Sequence, residues 1–135
     1  MSLMTWKTEY SVGVTKFDTQ HKRLIDLLNT LHDAMMKGQG QGALEPTLAE
    51  LIRYTQTHFE DEEKAFAAAG YPESFQHRQE HQALIKQVAD IKKRFDAGEI
   101  ALSLVTTAFL QDWLQNHILG TDKRYGPFLN QHGIR

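Results

Sequence analysis

His58 and Glu62 stand four residues apart, as do His77 and His81, and each pair interrupts a run of apolar residues at helical spacing. Four residues make slightly more than one helical turn, so each pair stacks on one face and points where its apolar neighbours point. Around the first pair Leu48, Leu51, Ile52, Thr55, Phe59, Phe66 and Ala69 fall on that face, and around the second Leu84, Val88, Ile91 and Phe95. Imidazole and carboxylate groups move protons, or they bind a metal as nitrogen and oxygen donors. A single pair of this kind reads as a core histidine satisfied by a hydrogen bond, because a buried polar group needs a partner. Here His21 and His117 repeat the anomaly on two further apolar stripes, and Asp122 follows His117 by five residues.

The elements that must position these groups are helices. Residues 1–17 hold Trp6, Tyr10, Val12, Val14 and Phe17 without a helical period, which predicts an extended arm that packs its aromatics on the body. Asp18 or Thr19 then caps a helix over 18–37, with Leu24, Leu28, Leu31 and Met35 on its apolar face beside His21. The glycine-rich stretch 38–42 ends it, and Pro46 suits the first turn of a helix over 45–69 that stops at Gly70. A third helix spans 73–97 and ends at Gly98. The fourth, over 100–119, carries Leu102, Thr106, Phe109, Trp113 and His117 at spacings of three and four, and Gly120 breaks it. A short C-terminal helical segment, 121–135, offers Tyr125, Phe128 and Leu129 for packing. Four amphipathic helices of about 20 residues on short loops predict an all-α, antiparallel up-down-up-down four-helix bundle.

In such a bundle, residues equidistant from a short turn lie at the same height. His58 with His81, and Glu62 with His77, are centred beside Gly70; His81 with His117 are centred beside Gly98; His21 with His58 are centred inside 38–42. All three turns therefore place the anomalous residues at one level. Asp122 needs help, since five residues of continuous helix turn it about 140° from His117 at ~100° per residue. A positive φ at Gly120 is expected to fold the chain back and return it. His32 lies eleven residues beyond His21, roughly 16 Å along the axis at ~1.5 Å per residue, and reads as structural. His132, in the tail, reads as solvated.

Composition narrows the chemistry. The 135 residues suit one domain, the net charge of -2 is spread without a basic cluster, and neither a nucleic acid nor a membrane surface is expected as partner. No apolar run reaches the ~20 residues of a membrane span and no signal-peptide core follows the N-terminus, so a soluble cytoplasmic protein is expected. Met1-Ser2-Leu3 ahead of Met4 reads as a cloning remnant without function. The absence of cysteine removes disulfides, iron–sulfur clusters and thiol catalysis, and restricts any metal site to nitrogen and oxygen donors. Five imidazoles and two carboxylates exceed what one tetrahedral zinc takes, and an imidazole-rich set suits iron better than magnesium or calcium. Two metals are implied. With both carboxylates bridging and one solvent oxygen shared, the set fills all but one of the about twelve positions of two octahedral ions.

The series His21, His58-x-x-x-Glu62, His77-x-x-x-His81 and His117-x-x-x-x-Asp122 resembles the hemerythrin signature at all seven ligand positions. The early Trp6 and the Asp18-x-Gln20-His21 start resemble its bacterial, single-domain branch, the bacteriohemerythrins, and the likeness covers essentially the whole chain. This resemblance implies two non-haem iron ions with an oxo or hydroxo bridge that bind dioxygen reversibly. It gives one iron His77, His81 and His117, the other His21 and His58, and makes Glu62 and Asp122 the bridges. It places Leu24, Phe59, Trp113, Leu114 and Ile118 around the oxygen site, although each also reads as ordinary core. The open position then falls on the iron of His21 and His58, where azide or a similar small anion serves as a surrogate for dioxygen. A histidine-rich set in a pocket without an acid or base favours binding over catalysis. The expectation is a non-enzymatic, monomeric oxygen-binding protein for storage, delivery or sensing. The alternatives are a di-iron enzyme acting on peroxide or nitric oxide, and an iron store or donor.

Overall fold

The apolar stripes read from the sequence fold as helices in the computed structural model, which describes residues 3–135. Helix α1 spans Thr15–Met36, α2 Gln41–Ala69, α3 Ser74–Asp96, α4 Leu104–Gly120 and α5 Tyr125–Gln131, with short 3₁₀ turns at Thr8–Tyr10 and Asp122–Arg124. No strand occurs among the described residues. Helix α1 packs on α2 and α4, and α2 on α3, which makes the expected four-helix bundle. One core unites Leu24, Leu28 and Leu31 of α1, Leu48 and Phe66 of α2, Phe95 of α3, and Leu114 and Ile118 of α4. Phe59, Leu84 and Val88 form a second cluster between α2 and α3.

Three helix starts differ from expectation, each for a local reason. Helix α1 begins at Thr15, where the Val14 carbonyl accepts from the amides of Phe17 and Asp18. Asp18 does not cap it: its carboxylate accepts from the Ser11 hydroxyl (2.5 Å) and the Val12 amide (2.8 Å), tying the arm to the first turn. Phe17 accordingly belongs to the helix. Helix α2 begins at Gln41, whose side-chain amide donates to the Phe95 and Asp96 carbonyls at the end of α3 (3.0 and 3.3 Å), and Pro46 lies inside it. Helix α4 begins at Leu104 rather than near 100. Ile100 and Leu102 pack on the core from the preceding loop, so their apolar character reflects loop packing. Thr107, not Thr106, is the buried threonine of α4. Gly70 closes α2 in the left-handed conformation at φ 71, the backbone that favours a residue without Cβ.

The arm runs against the C-terminal segment. Tyr10, Val12 and Val14 are buried; Asn130 donates to the Gly13 carbonyl (2.9 Å) and Lys123 to that of Glu9 (2.8 Å). A Cβ on Gly126 would overlap the Val12 carbonyl oxygen, so glycine allows the two backbones to touch. Met4 is held through both its amide and its carbonyl by Asn29, and Gln111 donates to the carbonyl of Leu3. Of the Met1-Ser2-Leu3 leader, Met1 and Ser2 lie outside the described residues, while Leu3 packs on the core.

Candidate metal centre

At the end of the bundle where α1 and α3 begin and α2 and α4 finish, the seven side chains meet. His21 comes from α1, His58 and Glu62 from consecutive turns of α2, His77 and His81 from consecutive turns of α3, His117 from the last turn of α4, and Asp122 from the 3₁₀ turn beyond it. All seven are buried. Asp122 arrives by a different route from the one expected. Gly120 is the last residue of α4 and is not among the glycines with positive φ. The chain instead bends at Thr121, whose φ of -111 departs from the helical value near -63° and redirects the backbone into the 3₁₀ turn.

The donor atoms form two overlapping groups, Glu62, His77, His81, His117 and Asp122 in one and His21, His58, Glu62 and Asp122 in the other, with atoms within 4.8 Å of one another in each. Glu62 and Asp122 belong to both. His21 Nε2 is 3.0 Å from Asp122 Oδ2, His77 and His117 Nε2 are 2.9 and 3.0 Å from Asp122 Oδ1, and His58 and His81 Nε2 are 3.4 and 3.2 Å from Glu62 Oε1. Close as they are, His21, His77, His81 and His117 Nε2, Glu62 Oε1 and both Asp122 oxygens are buried without a hydrogen-bond partner. Lone pairs aimed at one another across a dry interior are costly unless a cation lies between them. The donor set therefore fits a metal, and nitrogen with carboxylate oxygen fits iron.

Charge tells the same story. Burial lowers the basicity of His21, yet the approach of Asp122 and Glu62 overrides it and raises its pKa to about 10. Burial likewise acts to raise Glu62 and Asp122, but the surrounding imidazoles hold both carboxyls well below their usual range. His117 is raised against burial by Asp122, Glu62 and Glu80, while burial prevails at His58 and lowers it. The pocket demands positive charge, which protons supply when no metal does.

Aromatic rings steady the imidazoles: Phe59 stacks on His81 at 3.7 Å and 4°, and Trp113 on His117 at 4.3 Å and 15°. Leu24, Phe59, Trp113 and Leu114 line an apolar cavity of about 50 Å³ next to the cluster, and Ile118, fully buried in the main core, does not line it. That volume exceeds the ~10–15 Å³ needed for one water, but an apolar lining keeps such a space dry. Its one hydroxyl, that of Thr55, turns to the Leu51 carbonyl (2.7 Å).

Sequence reasoning missed the groups behind the cluster. Gln20 Oε1 is 2.5 Å from His58 Nδ1, Glu63 Oε2 is 2.9 Å from His81 Nδ1, Glu80 Oε2 is 2.9 Å from His117 Nδ1, and Tyr125 donates its hydroxyl to Glu62 Oε2 at 2.5 Å. Glu63 and Glu80 carry no spacing signal of their own; the one available signal was Gln20 directly before His21. Tyr125 is fully buried against Phe17 and Phe66, and burial together with Glu62 and Asp122 raises its pKa well above the ordinary phenol value. His32 is half-buried and in neither donor group, and His132 is exposed, stacked on Phe128.

Residues 12–129 match the Hemerythrin HHE cation binding domain. The chain is 40% identical over 131 residues to a bacteriohemerythrin of Methylococcus capsulatus, covering 96% of this chain and 99% of that protein. It is 37% identical over 132 residues to a bacteriohemerythrin of Stenotrophomonas maltophilia, covering 98% and 85%. A crystal structure of wild-type hemerythrin superposes with a TM-score of 0.91 at 40% identity, covering 95% of this chain and 98% of that one; an L114A mutant of hemerythrin gives 0.92. With its helical architecture, its two overlapping donor groups and a domain match across nearly its full length, the chain belongs to the hemerythrin family.

Proposed function

We propose that this protein binds dioxygen reversibly at a non-haem di-iron centre, as an oxygen carrier, store or sensor rather than an enzyme. The observation that carries the reading is the sharing of Glu62 and Asp122 between two donor groups. His77, His81 and His117 would hold one iron and His21 and His58 the other, with Glu62 and Asp122 spanning both beside an oxo or hydroxo bridge. Such an iron pair would supply reversible two-electron redox chemistry toward dioxygen. The chain's own residues make that exchange reversible by what they exclude. The Nε2 atoms face inward, so the ring protons belong on Nδ1, away from the ligand. Leu24, Phe59, Trp113 and Leu114 keep water and external protons from the open side, with Ile118 packed behind them. Thr55, the cavity's single hydroxyl, is committed to the backbone and delivers no proton.

The test is to reduce the iron-loaded protein without air, expose it to oxygen, and return it to argon while absorbance is followed. A charge-transfer band that appears with oxygen and disappears on its removal, over several cycles, supports the reading. Steady consumption of oxygen, or turnover of peroxide or nitric oxide, would replace it with catalysis.

A further inference from the structure

We propose that Gln20 and Glu63 are positioning residues that give the two halves of the centre unequal donor strength, Glu63 enriching His81 while Gln20 orients His58 without lending it charge. This rests on the ligand sets proposed above. The residues behind the two groups differ in kind. Glu63 presents a carboxylate oxygen 2.9 Å from His81 Nδ1, and Glu80 places a second one 2.9 Å from His117 Nδ1. On the other side His58 Nδ1 meets the amide oxygen of Gln20 at 2.5 Å, and His21 Nδ1 is buried without a partner. Two carboxylates thus back one group, and none contacts the Nδ1 atoms of the other.

The orientation of Gln20 follows from its far end. Its amide nitrogen donates to Asp61 Oδ2 at 2.8 Å, and a carboxylate only accepts, so the amide oxygen must face His58 and His58 must donate from Nδ1. Nε2 of His58 is thereby left with its lone pair toward the cluster. The Asp61 charge stands one amide removed from the ring and is partly offset by Lys16 at 3.7 Å. Glu63 is offset to a similar degree by Arg78 at 3.6 Å, so the two sides differ in that Glu63 touches its ring directly while Asp61 does not.

A carboxylate that accepts the Nδ1 proton makes the imidazole more basic at Nε2. A more basic donor favours the more oxidised metal and lowers its reduction potential. The half with fewer protein donors is therefore also the half with weaker ones, which leaves it the more electrophilic and the readier to accept an added ligand.

The two residues can be exchanged in kind. In the iron-loaded protein, Glu63→Gln should raise the midpoint potential and release iron to a chelator about tenfold faster. Gln20→Glu should lower the potential, with two irons per chain retained in both variants. Opposite signs from two conservative changes are not produced by loosened packing. Gln20→Glu also brings a new charge near Asp61; if it does not fold, Glu80→Gln beside Glu63→Gln decides the matter, and both must raise the potential. Shifts of one common sign across the Gln20 and Glu63 variants, or no shift in any, overturn the inference while leaving the ligand sets intact. Wild-type protein that loads no iron overturns the ligand sets and this inference together.

Discussion

Five imidazoles and two carboxylates in one apolar core hold more coordinating capacity than the chain's own hydrogen bonds consume, as the unpartnered Nε2 and carboxylate oxygens show. Because Glu62 and Asp122 each enter both donor groups, Glu62→Ala or Asp122→Ala should strip most of the iron, whereas His32→Ala should keep it. Metal analysis of the three purified variants checks this, and equal retention would remove the shared role. Tyr125→Phe leaves Glu62 Oε2 without its donor in a fully buried setting. A loss of about 1–3 kcal/mol in chemical denaturation is expected, with the helical circular dichroism signal unchanged. The seven clustered side chains were legible because helical spacing and the positions of the turns are written directly in residue numbers. Gln20, Glu63, Glu80 and Tyr125 were not, because an ordinary polar residue gains its role only when another helix brings a ligand against it.

At the scale of elements, the contrast between two glycines is instructive. Gly120 reads from the sequence as the pivot that returns Asp122, yet it sits in ordinary helix with open space where a Cβ would go. Gly120→Ala should therefore retain iron and gain up to about 1 kcal/mol from the better helix propensity. Gly126 drew no attention in the sequence, yet a side chain there would collide with the Val12 carbonyl. Gly126→Ala should force the arm from the C-terminal segment, lowering the melting temperature and exposing residues 3–14 to limited proteolysis; an arm still protected in that variant would refute the close approach. The helix starts were misplaced for a related reason. Asp18, Gln41, Ile100 and Leu102 each serve a neighbouring element, and sequence pattern assigns a residue only to its own.

For the whole molecule, the buried charges make stability depend on what fills the centre. In the iron-free chain, burial opposes a proton on His21, but Asp122 and Glu62 hold it and raise the pKa from 6.5 to about 10. A raised pKa contributes stability that is complete below the unfolded value of ~6.5 and is lost as pH climbs toward the folded one. Iron held by His21 as proposed would require the same nitrogen deprotonated, so loading would strengthen over that range. Denaturation midpoints should therefore fall from pH 6.5 to 9 without iron and hold or rise with it; parallel slopes in the two forms would contradict the account. The order of the donors along the chain has a further consequence, for biosynthesis. Asp122 is the last of the seven and sits 101 residues after His21, in a turn that docks on the arm. At roughly 5–20 residues per second, the ribosome releases the first histidine about 5–20 seconds before the aspartate that completes both groups. Iron captured by the nascent chain before then would meet an incomplete site, so lasting metal insertion belongs after Asp122 has emerged.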